Sequence, residues 1–120
     1  MIPKQYRLKK NIEFVATYAQ KKYISNSYFT LNLGKPKPFE NYISKVAFVV
    51  SKKVDKRAVI RNKIKRRMRE AYMLLIKKNP DYTKWMSMIY VAKQNSVDAD
   101  FNTILSEMKS AMQKAGEKYE

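Results

Sequence analysis

Cysteine and histidine are both absent from this chain of 120 residues. Without cysteine, the chain has no disulfide, no thiolate zinc site and no thiol nucleophile. Without histidine, it also lacks the commonest general base and metal ligand of proteins. Its ten acidic residues are scattered along the sequence, whereas two-metal hydrolysis by a protein needs clustered carboxylates. We therefore expect no catalytic residue and no metal ligand in this chain.

Glycine and proline are scarce, and no apolar run is long enough to span a membrane. Met1 to Lys10 is basic, but no continuous apolar stretch follows it, so it does not resemble a secretory signal. Hydrophobic residues make up 45% of the chain, which is enough for one packed core. We predict a single cytoplasmic domain over residues 1–120, with a basic extended segment at residues 1–10.

Negative charge is also scarce, since 10 acidic residues face 26 lysines and arginines, for a net charge of +16. Residues 1–93 hold twenty-three of the bases and only five acids, and residues 94–120 are slightly acidic. A small domain needs a net charge of only about 2–8 to stay soluble. A basic body of this kind is typical of proteins that bind a polyanion, and we expect nucleic acid rather than a membrane surface.

The hydrophobic pattern predicts an α+β domain in which helices pack on one face of a small sheet, leaving the other face partly open. In the first helix, Phe14, Val15, Tyr18 and Ala19 are predicted to share one packed face. An additional short strand near Tyr23 remains possible on the pattern alone. The predicted helices are residues 12–20 (N-cap Asn11), 59–78 (ending at Asn79-Pro80) and 101–115 (capped by Asp98 or Asp100, ended by Gly116), and the predicted strands are residues 27–33, 46–50 and 88–92.

Residues 52–69, KKVDKRAVIRNKIKRRMR, carry the strongest functional signal. Ten of these eighteen residues are lysine or arginine, and only Asp55 is acidic. On a helical wheel the apolar residues of this segment lie on one side and cations cover the rest. Like charges at this density repel one another, and arginine forks and lysine ammonium groups both suit phosphate oxygens. The segment is therefore predicted to bind the backbone of a nucleic acid.

At this segment the chain resembles the bacterial ribonuclease P proteins. Arg61-Asn62-Lys63-Ile64-Lys65-Arg66 is similar to the arginine-asparagine-arginine motif of that family. Lys63 stands where the family usually has arginine, so the charge is kept and the planar fork is lost. The similarity continues in order over roughly residues 6–78, through Arg7-Leu8-Lys9-Lys10-Asn11 and Phe14, Val50-Ser51-Lys52-Lys53-Val54, and Arg69-Glu70-Ala71-Tyr72.

The resemblance implies a compact α/β sandwich with a left-handed β-α-β crossover around the motif helix. It implies a ribonucleoprotein endonuclease that removes the 5′ leader of precursor tRNA, with the chemistry done by the RNA subunit and Mg²⁺ held mainly by that RNA. The implied partners are the ribonuclease P RNA and precursor tRNA, and no protein partner is implied. The resemblance assigns catalytic-RNA binding to Lys53, Arg57, Arg61, Asn62, Lys63, Lys65, Arg66, Arg67 and Arg69, and a leader-binding cleft to Phe14, Tyr18, Thr30, Asn32, Ser51 and Lys52.

Two other functions share parts of this pattern. A structural RNA-binding module such as a ribosomal protein has the same charge and fold class, but the ordered similarity from Arg7 to Tyr72 argues against it. A DNA-binding protein would place the helix of residues 59–78 in a major groove. Cations distributed nearly all round that helix suit backbone contacts better than base reading. At single positions, Phe14 is equally compatible with core packing, and Asn32 offers a hydrogen bond rather than stacking.

Overall fold

The computed structural model describes residues 3–119. The elements follow the predicted order, and the additional strand near Tyr23 is present as β1. Short 3₁₀ turns occupy Lys4–Tyr6, Pro80–Tyr82 and Gln94–Ser96. The helices are α1 (Asn11–Ala19), α2 (Ala58–Lys78) and α3 (Phe101–Tyr119), and the strands are β1 (Lys22–Ser25), β2 (Phe29–Leu33), β3 (Lys45–Val49) and β4 (Ser87–Ala92).

The four strands form one mixed sheet in the order β1-β2-β4-β3. β1 pairs with β2 and β2 with β4 in antiparallel fashion, whereas β3 and β4 are parallel neighbours. Parallel neighbours need a crossover connection, and α2 supplies it between β3 and β4. The predicted α+β class and the β-α-β unit are therefore confirmed, and the left hand of the crossover stays a prediction.

The main core lies between one face of the sheet and the pair α2 and α3. In β2 every second residue, Phe29, Leu31 and Leu33, is fully buried on this face. Burying one such side chain is worth about 1.5–3 kcal/mol. Trp85 is also buried. The two helices bury Ile64, Met68, Ala71, Tyr72 and Leu75 of α2 and Ile104, Met108, Ala111, Met112 and Ala115 of α3.

Helix α1 lies on the opposite face of the sheet. The Thr17 hydroxyl hydrogen-bonds to the Ser87 hydroxyl of β4, and Lys45 of β3 donates to Glu13 at 3.0 Å. By strand alternation, Ser87 and Lys45 point away from α2 and α3. The prediction that helices share one face therefore holds for α2 and α3 and is wrong for α1.

The predicted packed face of α1 is also wrong. Val15 is 59% exposed and Ala19 is exposed, whereas Thr17 is the buried residue of this helix. Hydrophobic periodicity cannot identify Thr17 as an inward residue, because its hydroxyl is polar. The burial is possible because that hydroxyl donates to the Glu13 carbonyl at 2.7 Å and also contacts Ser87.

Three predictions about segment ends need correction. The N-terminal segment is not simply extended, because Lys4–Tyr6 forms a 3₁₀ turn and Leu8, 6% exposed, donates its N–H to the Val46 carbonyl at 3.0 Å. Met1 and Ile2, which the prediction included, lie outside the described residues. Asn11 is the first residue of α1 rather than its cap. Gly116 does not end α3, which continues to Tyr119.

The remaining boundaries agree with the prediction within one or two residues. Asp100 caps α3, since its carboxylate accepts the Thr103 N–H at 2.8 Å. β2 starts two residues later than predicted, because the Asn26 side chain accepts the N–H groups of Tyr28 and Phe29 and holds a turn there. Among residues 3–119, no helix combines the length and the hydrophobicity needed to cross a membrane.

Candidate nucleic-acid interface

The solvent side of α2 begins with a dense set of cations. Its inward stripe is buried against the sheet and α3, so the polar residues between the buried positions point outward. Asn62, Lys63 and Arg66 are exposed, and Lys65 and Arg69 are half-buried. Lys52 and Lys53, in the loop before α2, are exposed as well. The surface formed by Lys52, Lys53, Asn62, Lys63, Lys65, Arg66 and Arg69 is called the basic surface below.

A groove of about 1080 Å³ extends the basic surface along α2. The N-terminal 3₁₀ turn forms its other wall through Tyr6 and Arg7. Arg66, Arg69 and Lys77 line it together with Glu70 and apolar residues of α2. Cations next to apolar surface suit the phosphates and the flat bases of an RNA chain.

Arg57 is exposed to solvent, but its guanidinium is paired with an acidic side chain of the protein. Its guanidinium donates two parallel hydrogen bonds to Asp55, from Nε at 3.1 Å and from Nη2 at 2.9 Å. Its backbone N–H also donates to Asp55 at 2.8 Å. These hydrogen bonds from Arg57 lower the pKa of Asp55 to about 2. The bidentate pair orders the loop before α2 and offsets the charge of Arg57.

Arg61 and Arg67 also hydrogen-bond to the protein backbone. Arg61 donates from Nη1 to the carbonyls of Asp55 at 3.1 Å and Lys56 at 2.8 Å. Arg67 donates to the carbonyl of Ala99, just before α3, at 2.9 Å. Both side chains therefore stabilise the protein in addition to the RNA-binding role predicted for them. No local pattern could reveal the second contact, because Ala99 lies 32 residues away in the sequence.

The predicted leader cleft would lie between α1 and the sheet face on which α1 packs. Phe14 is half-buried in its wall, and Tyr18 is 44% exposed. Partial burial raises the pKa of Tyr18 above its ordinary value. The floor contains Thr30 and Asn32, which are half-buried and point to the face opposite Phe29 and Leu31. The structure therefore places these four predicted cleft residues on one side of the sheet.

Polar contacts order the cleft floor. The hydroxyls of Thr30 and Ser25 are hydrogen-bonded at 3.2 Å. Lys93, which follows β4, donates to the Ser25 hydroxyl and to the Asn26 carbonyl, both at 2.6 Å. Both acceptors are neutral oxygens, so these contacts do not offset its charge. Lys93 was not among the residues predicted from the sequence, although its position two residues after Val91 places it on the cleft side.

The loop of residues 51–57 connects the cleft to the basic surface. β3 and β4 are parallel, so Ser51 follows β3 at the same end of the sheet at which Lys93 follows β4. Thr30 pairs with Val91 near that end. Ser51 and Lys52 are exposed there, and α2 begins immediately after the loop. The open cleft floor and the first turns of α2 therefore lie at one end of the molecule.

Residues 3–119 contain no group of three acidic residues arranged to hold a metal ion. The chemistry that the arrangement offers is binding, through cations, aromatic rings and hydroxyl groups.

Comparison with known proteins identifies the family. The family model described as ribonuclease P matches residues 2–116. The ribonuclease P protein component of Clostridium botulinum strain 657 is 34% identical over 113 residues, covering 94% of this chain and 96% of the relative. The corresponding protein of Thermoanaerobacter sp. strain X514 is 29% identical, covering 90% of this chain and 87% of the relative.

Solved structures agree with this similarity. The RNase P protein of Staphylococcus aureus superposes with a TM-score of 0.74 at 28% identity, covering 92% of this chain and 94% of that one. The RNase P protein of Thermotoga maritima, at 22% identity and a TM-score of 0.71, shares the fold. Since the family model spans nearly the whole sequence and the fold agrees throughout, the chain belongs to the ribonuclease P protein family.

Proposed function

We propose that this chain is the protein subunit of ribonuclease P. It binds the catalytic RNA through the basic surface and the 5′ leader of precursor tRNA in the cleft beside α1, and so assists endonucleolytic removal of the leader. The observation that carries the proposal is the presence of two different surfaces on one family member, a dense set of cations at the start of α2 and a sheet face flanked by the aromatic residues of α1.

The basic surface is suited to the backbone of a folded RNA. Lys63 and Arg66 are exposed on consecutive turns of α2, where each can meet a phosphate oxygen. Arginine does so through a planar fork and lysine through a point charge. Lys63 therefore contributes charge to the contact without the bidentate geometry of an arginine. Contacts of this kind position a protein on RNA without reading its sequence.

The cleft is suited to a single strand. Unpaired bases stack on aromatic rings, and this binding tolerates many sequences. Tyr18 presents an exposed ring on the wall, and Thr30 and Asn32 present hydroxyl and amide groups on the floor. Lys93 adds a cation beside Ser25. Mature tRNA has no leader, so these contacts strengthen binding of the precursor only.

The protein contributes binding and the RNA contributes chemistry. Mg²⁺ held by the RNA subunit would supply the metal-activated nucleophile for hydrolysis, and no acidic group of this chain is assigned to that ion. Because both surfaces belong to one domain, protein bound to the RNA subunit holds the leader at a high effective concentration. Its positive charge also offsets phosphate repulsion, so less Mg²⁺ is needed for activity.

Leader cleavage at low Mg²⁺ tests the proposal. The arms are a bacterial ribonuclease P RNA alone, the protein alone, both together, and both with Lys63→Ala and Arg66→Ala. A control variant with Lys109→Ala and Lys114→Ala removes the same charge from exposed positions of α3. We expect efficient cleavage only with wild-type or control protein. A protein that leaves cleavage by a competent RNA unchanged would contradict the proposal.

A further inference from the structure

Tyr23 is an exposed aromatic residue on the cleft side of the sheet. It is not one of the residues that the family resemblance assigns to the cleft. It lies in β1, and 53% of its surface is exposed. Strand alternation places its side chain on the same face as Ser25, whose hydroxyl contacts Thr30 of the cleft floor. Its cross-strand partner is Asn32. The ring therefore stands beside the one predicted floor residue that offers only an amide group.

The backbone of Tyr23 is fixed by the end of α3. The Tyr23 N–H donates to Tyr119 Oη at 3.2 Å, and Tyr119 Oη donates to the Tyr23 carbonyl at 3.1 Å. β1 is an edge strand, and this hydroxyl satisfies backbone groups that an edge strand otherwise leaves unpaired. The side chain of Tyr23 takes no part in these two bonds, so its ring is positioned and still open.

A lysine accompanies this ring. Lys118 Nζ lies 6.0 Å from the centroid of the Tyr23 ring and 5.2 Å from that of Tyr119. Both distances fall within the range of cation–π attraction. The lysine itself is exposed, so it remains accessible to an anion. A ring that accepts a base, with a cation placed for its phosphate, is the arrangement by which proteins bind one nucleotide of a single strand.

We propose that Tyr23 and Lys118 form an additional nucleotide subsite, in which an unpaired base of the leader stacks on Tyr23 and its phosphate contacts Lys118. The inference rests on the proposed function, because it extends the leader cleft. β1 and β3 are the two edge strands, three strand spacings or roughly 14 Å apart. We take the leader to enter beside Ser51, which the family resemblance assigns to the cleft, so it reaches Tyr23 only after crossing the sheet from β3. The subsite therefore binds a nucleotide far from the cleavage site.

Leader length provides the test. The assembled ribonucleoprotein is given precursor tRNAs whose leaders are lengthened one nucleotide at a time, and the affinity relative to mature tRNA is measured. The proteins are wild type, Tyr23→Ala, Tyr23→Phe and the control Phe39→Ala, which removes a ring that is 61% exposed in the loop between β2 and β3. We expect the four proteins to bind short leaders equally.

For leaders long enough to reach β1, we expect Tyr23→Ala to lose roughly 5-fold or more in affinity, the value of one stacked base. Tyr23→Phe and Phe39→Ala keep the wild-type gain in affinity for long leaders, because both variants have an aromatic ring at position 23. As an independent measurement, Lys118→Ala reduces the salt slope of long-leader binding by about 0.7. Lys114→Ala, one turn earlier on α3, leaves that slope unchanged.

Three negative results are distinguishable. If wild type gains affinity with leader length and Tyr23→Ala gains equally at every length, the subsite is refuted and the proposed function stands. If no protein prefers precursor over mature tRNA at any length, leader binding itself fails, and the subsite fails with it. Equal weakening of Tyr23→Ala toward precursor and mature tRNA also refutes the subsite, because a leader contact cannot affect mature tRNA.

Discussion

The cations of residues 52–69 differ in what they contact, although the sequence presents them as one run. Arg57 is paired with Asp55, and Arg61 and Arg67 donate to backbone carbonyls. Lys63 and Arg66 are exposed. Only the charge of Arg57 is offset, by the Asp55 carboxylate, because the carbonyls that Arg61 and Arg67 contact are neutral. We therefore expect Arg57 to add little to phosphate binding and the exposed, unpaired Lys63 and Arg66 to add more.

We expect the double variant Asp55→Asn with Arg57→Gln to bind the RNA subunit nearly as well as wild type. The net charge is unchanged, and the pair that is removed was already neutral. Arg66→Gln removes one exposed charge and lowers the slope of log affinity against log salt by about 0.9. Filter binding across a salt series compares the two proteins. A larger loss in the pair variant would show that Arg57 contacts RNA directly.

The Asp55–Arg57 pair predicts a specific acid sensitivity. The folded-state pKa of Asp55 is about 2, below the ordinary value of 3.8. The stabilising contribution of the carboxylate is therefore complete above about pH 4 and is lost as the pH falls toward 2. The melting temperature of wild type should exceed that of Asp55→Asn at pH 5, and the difference should shrink as the pH is lowered. A difference independent of pH would contradict the pairing.

Tyr72 and Tyr90 bury hydroxyl groups that have no hydrogen-bond partner within the described residues. Their rings make an edge contact at 6.2 Å between centroids, and burial raises both pKa values. A buried polar group without a partner is costly, so Tyr72→Phe and Tyr90→Phe should each increase the free energy of unfolding by about 1 kcal/mol. Urea denaturation at neutral pH measures this change, and a clear loss of stability would contradict it.

The same two residues predict an alkaline sensitivity. Because their folded-state pKa values lie above the ordinary 10.0, the unfolded chain releases these protons first. Wild-type stability should therefore fall as the pH rises above about 10. The double phenylalanine variant should lose less stability over that range in the same denaturation experiment.

At the scale of elements, α1 is attached to the sheet by polar contacts as well as by packing. The Thr17 and Ser87 hydroxyls meet, and Gly34 lies directly beside Ser87, donating its N–H to the Ser87 carbonyl at 2.9 Å. A Cβ atom at position 34 would lie 2.2 Å from Ser87 Oγ. Glycine is required here because the loop after β2 must approach β4 closely.

Gly34→Ala should therefore destabilise the protein by about 1–3 kcal/mol, the usual range for overpacking. The added methyl displaces the Ser87 hydroxyl from Thr17 and loosens α1. In a Ser87→Ala background the clashing atom is gone, so the same substitution should cost less. Urea denaturation of wild type, Gly34→Ala, Ser87→Ala and the double variant measures the cost of the glycine substitution in each background. Equal costs in the two backgrounds would show that Ser87 is not the residue that excludes a side chain.

At the scale of the whole molecule, charge is distributed unevenly. The excess of bases lies in residues 1–93, which include β1 to β4 and α2, whereas α3 follows in the slightly acidic remainder. The basic surface at the start of α2 and the cleft both belong to the basic part. In the proposed complex, electrostatic attraction to RNA would therefore orient the molecule as well as strengthen its binding.

If the exposed cations Lys52, Lys53, Lys63 and Arg66 each neutralise one phosphate, the salt slope of binding to the RNA subunit is about −3.6 or steeper. A titration over a range of salt concentrations measures it. The control variant with Lys109→Ala and Lys114→Ala should give the wild-type slope. A slope near −1 would show that the basic surface is not the main RNA contact.

The sequence by itself determined the element order, the two packed faces of α2 and α3, and the family. These features are local. Apolar residues at helical or alternating spacing indicate which side of an element is buried, and the motif from Arg61 to Arg66 is a contiguous stretch of sequence. The cap of α3 was narrowed to Asp98 or Asp100, because a carboxylate at a helix start accepts the N–H groups of its own first turn, and the structure selects Asp100.

Only the tertiary structure decided where α1 packs, which arginines have partners inside the protein, and that Tyr23, Lys93 and Lys118 adjoin the cleft. Thr17 is buried because Ser87 lies opposite it, 70 residues away in the sequence. Arg67 likewise donates to the carbonyl of Ala99, which is 32 residues away. Tyr23 and Tyr119 are 96 residues apart. Such contacts join polar groups across long sequence separations, and a polar side chain gives no periodic signal that identifies its distant partner.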